Sequence, residues 1–429
     1  MVKSDTSGRF LFKDSEKTAT GSVLYEQHLK RIEKNRLADF AGYLMPLWFS
    51  SISAEHNAVR ESAGLFDCTH MGVLEFQGNN AQDFLNSITT NDIGRLKTGS
   101  AQYSYVLDAA GNILDDIIVY ERSEDKFMVV VNAANEPKIK AYLEALQNDE
   151  IIIDPEKPNQ RLEHKPEIRD MRDCNTGPDC RVDIALQGPA SIEFLLSIIK
   201  EEKTKKQVQE MKSFSFIEIE IAGLNCIVAR TGYTGSKIGY ELFVHPEKAA
   251  KFWSMLLDKG QPYGIVPCGL GARDSLRIEA GLPLYGHELA GEFNISPFEA
   301  GYGWAVKLEK DFFIGQAAMR KKAKGYEMQV ARIELPGQKG IRPARGNDGI
   351  LDENGICIGW VLSCAKVDEN QIALAYVSKE IVEENKQLGL YYLARSKGQM
   401  EKGKKEKVEM NEKLERDISG KFVTRFAKF

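Results

Sequence analysis

The sequence predicts a protein of the α+β class that has more than one domain. Sets of paired strands are crossed by helices, without the strict strand–helix alternation of a doubly wound sheet. Residues 329–394 show strand patterns separated by Gly and Asn turns, which indicates a separate β-domain. The length of 429 residues also predicts two or three domains, since one domain has about 150 residues.

The first half of the globular region is expected to hold a three-stranded meander between two helices. Alternating residues 71–77 predict a strand, and Asn80 can cap a helix that runs through Ser87. The meander and the amphipathic helix that follows it are the segments 102–107, 113–120, 126–132 and 136–147.

The second half repeats this order of elements. A strand leads into a helix, a hairpin and a further strand follow, and a helix closes the set. The segments are 181–187, 190–200, 214–223 with 224–230, 241–246 and 247–259.

Composition divides the chain into three regions. Residues 1–23 are polar and aperiodic and are expected to form a flexible arm. Residues 24–325 form the main α+β region, with two interleaved subdomains, and residues 326–429 form the β-domain. Within the latter, the charge run at 397–417 is expected to be a solvated insertion.

Charge and cysteine usage exclude several classes of protein. The 57 Lys+Arg and 62 Asp+Glu residues give a net charge of −5, which argues against a nucleic-acid binder. The longest charge-free run, 40–54, is too short and polar to cross a membrane. Seven scattered cysteines without a Cys-x-x-Cys pair indicate reduced thiols and a cytoplasmic location.

Several common catalytic motifs are absent from the sequence. There is no phosphate-binding loop and no nucleophile elbow, and the six histidines never occur in a standard metal-binding spacing, so no metal site is expected. The segment 67–70 matches no standard metal site either. The segment Gly269–Asp274 approaches the dinucleotide fingerprint, but Asp274 would place an anion beside the pyrophosphate.

Two adjacent aspartates lie within an otherwise apolar strand. Asp115 and Asp116 point to opposite faces because side chains alternate along a strand. Asp115 is expected to share its face with Ile113, Ile117 and Val119, and a buried charge there needs compensation. The alternatives are a carboxylate facing a cavity and an edge strand with two solvated carboxylates.

Three other charged residues are candidates for ligand contacts. Glu241 follows a loop rich in Gly and hydroxyl residues, where a carboxylate can accept two parallel N–H bonds from a heterocycle; the alternative is an exposed Glu on a plain hairpin. Arg273 and Arg277 lie four residues apart on one helix face. They form either a solvated salt-bridge face or a guanidinium site for an anionic ligand.

Ten motifs in sequence order resemble the aminomethyltransferase (T-protein) family of the glycine cleavage system, over about residues 24–380. They are LYEQHLK (24–30), FAGYLMPLWF (40–49), EHNAVRESAGLFDCTHMG (55–72), TTNDI (89–93), GNILDDIIVY (111–120), VVVNAANEPK (129–138), ALQGPAS (185–191), TGYTGSKIGYEL (231–242), PCGLGARDSLRIEAGLPLYGHEL (267–289) and ISPFEAGYGWAVKL (295–308).

This resemblance implies a clover-like, multi-domain folate-binding fold with ferredoxin-like units and a C-terminal β-barrel. It implies transfer of an aminomethyl carbon from the lipoyl group of a partner H-protein to tetrahydrofolate, giving 5,10-methylenetetrahydrofolate and ammonia. We expect the H-protein to dock transiently on a monomer.

The resemblance also assigns residues. It implies that Asp115 is the catalytic carboxylate beside folate N10 and that Glu241 binds the pterin. The remaining pocket residues it implies are Met71, Tyr103, Asn132 and Arg273.

The chain departs from the family pattern at a few places. Thr-Gly-Ser-Lys-Ile (234–238) replaces the usual Thr-Gly-Glu turn, and Cys68-Thr69 replaces Val-Ser. The alternatives are a tetrahydrofolate-dependent demethylase and a non-enzymatic folate-binding protein on the same fold. The signature Gly-Cys-Tyr-x-Gly-Gln-Glu of the latter is absent.

Overall fold

The computed structural model describes residues 3–5, 7–14, 18–163 and 165–429. The described chain separates into two compact units. The first comprises the residues up to 232 together with 236–273 and 305–321, and the second comprises 233–235, 274–304 and 322–429. The division into an arm, a main region and a domain beginning at residue 326 stays a prediction.

The first unit consists mainly of two largely antiparallel sheets and their helices. Its strands are β1 (Lys3–Ser4), β2 (Phe10–Leu11), β3 (Thr20–Gly21), β4 (Leu37–Phe40), β5 (Tyr43–Pro46), β6 (Ala63–Asp67), β7 (Gly72–Gln77), β8 (Ala101–Leu107), β9 (Ile113–Ser123), β10 (Lys126–Val131), β11 (Glu167–Asp170), β12 (Val182–Gln187), β13 (Phe216–Ile221), β14 (Leu224–Ala229), β15 (Gly239–Val244) and β16 (Ile265–Cys268). Its helices are α1 (Tyr25–Leu29), α2 (Ile52–Glu61), α3 (Ala81–Ile88), α4 (Glu136–Gln147), α5 (Ser191–Ile198), α6 (Glu202–Glu210) and α7 (Pro246–Gly260); α8 (Leu270–Ala280) and α9 (Gln316–Ala323) begin in it.

The two main sheets have defined strand orders. The five-stranded sheet has the order β11-β7-β10-β9-β8, and its last three strands are the predicted meander. The six-stranded sheet has the order β13-β14-β15-β12-β6-β16, in which β13 and β14 form the predicted hairpin and only the β16–β6 pair is parallel. The α+β class is therefore confirmed.

Three apolar cores organise these sheets into four layers. The first core joins α3 and α4 to one face of the five-stranded sheet. The second core joins α5 and α7 to one face of the six-stranded sheet. The third core lies between the sheets themselves, where Tyr120 and Met128 pack with Phe216 and Phe243. Each sheet thus turns one face toward its helices and the other toward its partner sheet.

The second unit contains a closed β-barrel, as the family resemblance implied. Its strands are β17 (Met328–Pro336), β18 (Gly349–Leu351), β19 (Cys357–Val367), β20 (Asn370–Ser378), β21 (Gln387–Tyr391) and β22 (Ile418–Val423), and α10 (Lys397–Glu401) follows β21. The barrel order is β17-β20-β19-β18-β21-β22. Strands β17, β19, β20 and β21 correspond to the strand patterns predicted within 329–394. Strand β22, which closes the barrel against β17, lies beyond the charged segment.

Three local features add detail to these expectations. Asn80 precedes α3 but its side chain makes no capping hydrogen bond. The segment expected as a flexible arm includes Phe10, which is buried in the first core and whose N–H donates to Asp108 Oδ2 at 3.1 Å. Within the charged insertion Val408 is buried, and its carbonyl accepts from Trp360 Nε1 at 3.0 Å. Isolated apolar residues inside polar segments thus anchor them.

Two further observations concern the helices and the cysteines. Within the part of the chain that the structure describes, no helix combines the length and the apolar character needed to span a bilayer. The seven cysteines are free thiols in this structure.

Arg277 is neither solvated nor directed at a ligand, the two alternatives that the sequence offered. The residue belongs to the second unit and is 1% exposed. The guanidinium donates to Glu288 Oε2 at 2.6 Å, to Ser363 Oγ at 3.0 Å and to Asp274 Oδ1 at 2.8 Å. Glu288 is fully buried, so a buried ion pair fixes the turn after α8 near the barrel strand β19.

We therefore expect Glu288→Ala to lower the free energy of unfolding by about 3–5 kcal/mol, because it leaves the Arg277 charge buried without its main partner. Chemical denaturation monitored by circular dichroism measures this loss. Asp274→Ala removes the exposed partner of the same guanidinium and is the matched control, with an expected cost of about 0–1 kcal/mol. Equal losses in both variants would contradict the assignment.

Candidate functional site

The strand β9 carries Asp115 at an irregular position. The pairing of β8 with β9 shifts register next to this residue, which indicates a β-bulge. As a result Leu114, and not Ile113 as expected, packs in the first core with Ile117 and Val119. Asp115 does share its face with Ile117 and Val119, and it is 0% exposed. This face of the strand is turned toward the helices.

Asp116 lies on the other face of β9. The register is regular from this residue onward, so Asp116 shares its face with Ile118 and Tyr120. Both of these residues belong to the third core, between the two sheets. Asp116 itself is half-buried. Of the two carboxylates, Asp116 therefore faces the partner sheet.

Both carboxylate oxygens of Asp115 accept hydrogen bonds from the protein. Its Oδ2 accepts from the Asn132 backbone N–H at 2.9 Å, and its Oδ1 accepts from the amide groups of Asn132 at 2.8 Å and Asn135 at 2.5 Å. Lys138 of α4 donates to Asn135 Oδ1 at 2.9 Å and supplies a positive charge near Asp115. These groups compensate part of the cost of the buried charge within the fold itself.

Asp116 has fewer protein partners. Tyr103 donates its hydroxyl to Oδ2 at 3.0 Å, and the Asn132 amide that contacts Asp115 also donates to Asp116 Oδ1 at 2.9 Å. One amide group thus bridges the two carboxylates, although they lie on opposite faces of the strand. Burial, and then the charge of Asp116, raise the pKa of Asp115 to about 7, and burial raises the pKa of Asp116 as well.

Glu241 lies on β15, opposite the Tyr120 end of β9. It is 9% exposed, and its Oε2 accepts the hydroxyl of Tyr120 at 3.3 Å and the hydroxyl of Thr231 at short range. Among the described residues no donor contacts its other oxygen, Oε1. The exposed-Glu alternative is therefore wrong. One carboxylate oxygen is held by the protein, and the other can accept from a ligand.

A second, unexpected carboxyl group accompanies Glu241. Asp183 on β12 is 2% exposed, and its Oδ1 has no hydrogen-bond partner in the described chain. Burial first, and the charge of Glu241 next, raise the pKa of Asp183 well above its usual value. The positive charge of Arg273 lowers the pKa of Asp183 and so opposes these two effects. The Nη1 atom of Arg273 lies 3.5 Å from Cys68 Sγ.

These groups form two clusters on the same inter-sheet face. Asp116 and Tyr103 make one, and Glu241 with Tyr120 makes the other. Asp116 and Tyr120 are four residues apart on one strand, so their Cα atoms are roughly 13 Å apart. A ligand that contacts both clusters must be elongated and must offer hydrogen-bond donors at one end.

Comparison with known proteins decides the family. The family described as "GCVT N-terminal domain" matches residues 24–310. The aminomethyltransferase of Halalkalibacterium halodurans is 39% identical over 335 residues, covering 78% of this chain and 82% of its relative. The Bacillus subtilis aminomethyltransferase is 37% identical over 326 residues, covering 75% and 81%. The chain belongs to the GCVT aminomethyltransferase family.

A solved structure agrees with this membership. The glycine cleavage system aminomethyltransferase T from Bartonella henselae superposes with a TM-score of 0.72 at 25% identity, covering 95% of this chain and 97% of that one. The resemblance deduced from the motifs, the fold class and the transferase class are thereby confirmed. The demethylase and the non-enzymatic folate binder are not favoured.

Within this GCVT chain, the structure brings most of the predicted site residues to the inter-sheet face. Tyr103 and Asn132 contact Asp116, and Met71 is half-buried against the third core. Asp115 is the exception, since its face is turned to the helices. The sequence analysis considered Asp116 but placed the ligand contact on Asp115, and it did not single out Thr231, Tyr120 or Asp183. The hydroxyl-rich loop before Glu241 could have indicated Thr231 as a contact of Glu241. The sequence of β12 contains no feature that would have indicated Asp183.

Proposed function

We propose that this protein transfers an aminomethyl carbon from the lipoyl group of an H-protein to tetrahydrofolate. The products are 5,10-methylenetetrahydrofolate, ammonia and the reduced lipoyl arm. The observation that carries the proposal is the pair of carboxylates, Asp116 and Glu241, at separate places on one inter-sheet face of a GCVT family member. A reduced folate is elongated, and its pterin end presents N–H groups that suit the open oxygen of Glu241.

We infer that Asp116, rather than Asp115, meets folate N10. A carboxylate that handles a proton must come within hydrogen-bond reach of the reacting atom. Asp115 is fully buried, accepts three hydrogen bonds and faces the first core. Asp116 is half-buried on the inter-sheet face, so it is the accessible member of the pair.

The two carboxylates have different roles in this reaction: Asp116 acts at N10, and Glu241 binds the pterin end of the folate. N10 attacks the aminomethyl carbon and becomes positively charged, and the bond from this carbon to its nitrogen breaks so that ammonia leaves. N5 then attacks the same carbon, and the carbon–sulfur bond breaks to release the lipoyl thiol; the protons that N10 and N5 lose balance those gained by ammonia and by the thiol. An anionic Asp116 stabilises the charge on N10 and then accepts its proton. The hydroxyl of Tyr103 and the amide of Asn132 hold the carboxylate in place before the reaction. Glu241, held by Thr231 and Tyr120, fixes the other end of the folate.

The test is release of ammonia from aminomethylated H-protein in the presence of tetrahydrofolate. Release that requires both substrates supports the proposal. Binding of tetrahydrofolate without release of ammonia would contradict the aminomethyl transfer and favour the demethylase. An assay with a methylated amine as the donor then tests the demethylase. No binding of tetrahydrofolate would reject the folate site as a whole.

Arg273 gives an independent check of the site. It lies beside Asp183 and Cys68, so we propose that it orders the wall of the pterin pocket or meets the anionic end of the folate. We expect Arg273→Lys to raise the KM for tetrahydrofolate roughly tenfold, because an ammonium cannot replace the planar fork of donors. Steady-state kinetics measure this. Wild-type kinetics would place Arg273 in an ordinary ion pair.

We also propose a location, an oligomeric state and a partner for this activity. The protein acts in the cytoplasm as a monomer, and the H-protein docks only for the transfer. The free thiols support the location, and the lipoyl carrier follows from the proposed reaction.

A further inference from the structure

We propose that Cys174, Cys180 and His245 bind a zinc ion, at a site separate from the inter-sheet face. The sequence predicted no metal site because these residues have no standard spacing. In the structure their ligand atoms all lie within 4.8 Å of one another. This is the one such group of His, Cys, Asp and Glu among the residues that the structure describes.

Strand pairing explains why the three residues meet. β12 begins at Val182 and pairs with β15, so that Val182 lies opposite Val244. The residues just before β12 and just after β15 are therefore neighbours, and these include Cys180 and His245. The 171–181 loop is closed by a hydrogen bond from the Arg181 N–H to the Met171 carbonyl at 2.8 Å. That closure brings Cys174 back to the same place.

The spacing of the ligand atoms suits a tetrahedral ion. Zinc binds thiolate sulfur at about 2.3 Å and imidazole nitrogen at about 2.0–2.1 Å, so a sulfur and a nitrogen on one ion are roughly 3.6 Å apart. Cys174 Sγ lies 3.7 Å from His245 Nε2. Two thiolates and one imidazole are also the soft and borderline ligands that zinc prefers.

A carboxylate is placed to support the histidine. Glu247 Oε2 lies 4.0 Å from His245 Nδ1, on the ring nitrogen that does not face the sulfur. Metal-binding histidines commonly donate their second N–H to such a carboxylate. His245 also precedes α7, and its Nδ1 accepts from the Glu247 N–H at 3.4 Å. When zinc binds at Nε2, Nδ1 carries the proton. Nδ1 then donates to the Glu247 carboxylate instead of accepting from the Glu247 N–H.

The fourth position is assigned to water. No fourth His, Cys, Asp or Glu of the described chain joins the group. A surface cavity of about 550 Å³ is lined by His245, Arg181 and Lys248 and gives solvent access to this region. The ion would tie the 171–181 loop to the start of α7.

Cobalt titration of the reduced, metal-free full-length protein tests this site. We expect one Co²⁺ per chain, with the intense absorption of a tetrahedral thiolate centre, and displacement by Zn²⁺. Cys174→Ser and His245→Ala should abolish that spectrum; Cys174 is exposed, so its variant is expected to fold. Cys364→Ser, which alters a partly exposed thiol of the barrel, is the matched control and should bind as the wild type does.

A positioning test separates a built site from incidental thiol binding. Glu247→Gln should weaken Co²⁺ affinity by about 10- to 100-fold without removing a ligand. Three results would overturn the proposal. They are no Co²⁺ binding by the reduced wild type, a spectrum that persists in both ligand variants, and formation of a Cys174–Cys180 disulfide instead of a metal complex when Co²⁺ and a thiol oxidant are added together.

Discussion

Asp116→Asn is expected to lower the turnover number about 10²- to 10³-fold while the protein stays folded. The substitution keeps the shape of the side chain but removes the charge that stabilises N10 as it becomes positive, and loss of one such electrostatic group typically has this effect. The Tyr103 hydroxyl, which donates to Asp116 Oδ2 at 3.0 Å, can still donate to the amide oxygen. The Asn132 amide loses its bond to Asp116 Oδ1 but keeps those to Asp115 Oδ1 and to the Asp116 carbonyl. Single-turnover ammonia release from aminomethylated H-protein measures the chemical step directly.

Asp115→Asn is the matched control for this prediction, because it makes the same change one residue away. Asp115 accepts three N–H bonds, and an amide nitrogen in its place would oppose a donor. We expect a loss of about 1–3 kcal/mol in the free energy of unfolding and a much smaller effect on turnover in the folded fraction. If Asp115→Asn instead abolishes turnover with the fold intact, and Asp116→Asn does not, the family-based choice of Asp115 is correct.

The difference between the two aspartates shows what strand periodicity can and cannot predict. Alternation correctly separated Asp115 and Asp116 onto two faces, but it could not say which face meets the other sheet. That depends on pairing between β9 and β10 and on packing against the six-stranded sheet. The bulge beside Asp115 is likewise a property of the β8–β9 pairing, so Leu114 could not be placed in the first core from the sequence.

The elements themselves were largely predictable. The meander, the β13–β14 hairpin and the main helices have strong local patterns, and the structure contains them. Two features escaped because the local pattern was weak or misleading. The strand β22 is short and contains Gly420 and Lys421, and it gains its stability from closing the barrel. Arg277 has the surface spacing of a salt-bridge face, yet its partner Glu288 lies after the helix and buries it.

The site shows the same limit for contacts that are distant in sequence. Glu241 was identifiable because an unusual loop precedes it. Asp183 was not, because RVDIALQ has the pattern of an ordinary buried strand with one polar residue. The group of Cys174, Cys180 and His245 joins residues up to 71 positions apart through the β12–β15 register. No spacing rule along the chain detects such a group.

Glu241→Ala is expected to weaken the binding of tetrahydrofolate by about 2–5 kcal/mol, or roughly 30- to 5,000-fold in Kd. The carboxylate lies in a nearly water-free place, 9% exposed, where Tyr120 and Thr231 hold one oxygen and leave the other for the ligand. Its removal leaves the pterin N–H groups without an acceptor in a site that water fills poorly. Isothermal titration with tetrahydrofolate under reducing conditions measures the change.

Two further variants make this result specific to Glu241. Glu220→Ala removes an exposed carboxylate from β13 of the same sheet and should leave the Kd unchanged, so it controls for net charge. Thr231→Val removes one of the hydroxyl groups that hold Oε2, and it should weaken binding by about 1 kcal/mol, since the carboxylate remains but is less fixed. Unchanged affinity in Glu241→Ala would move the pterin away from this end of the inter-sheet face. A loss in Glu220→Ala as large as that in Glu241→Ala would show that general electrostatic attraction, and not a direct contact, governs binding.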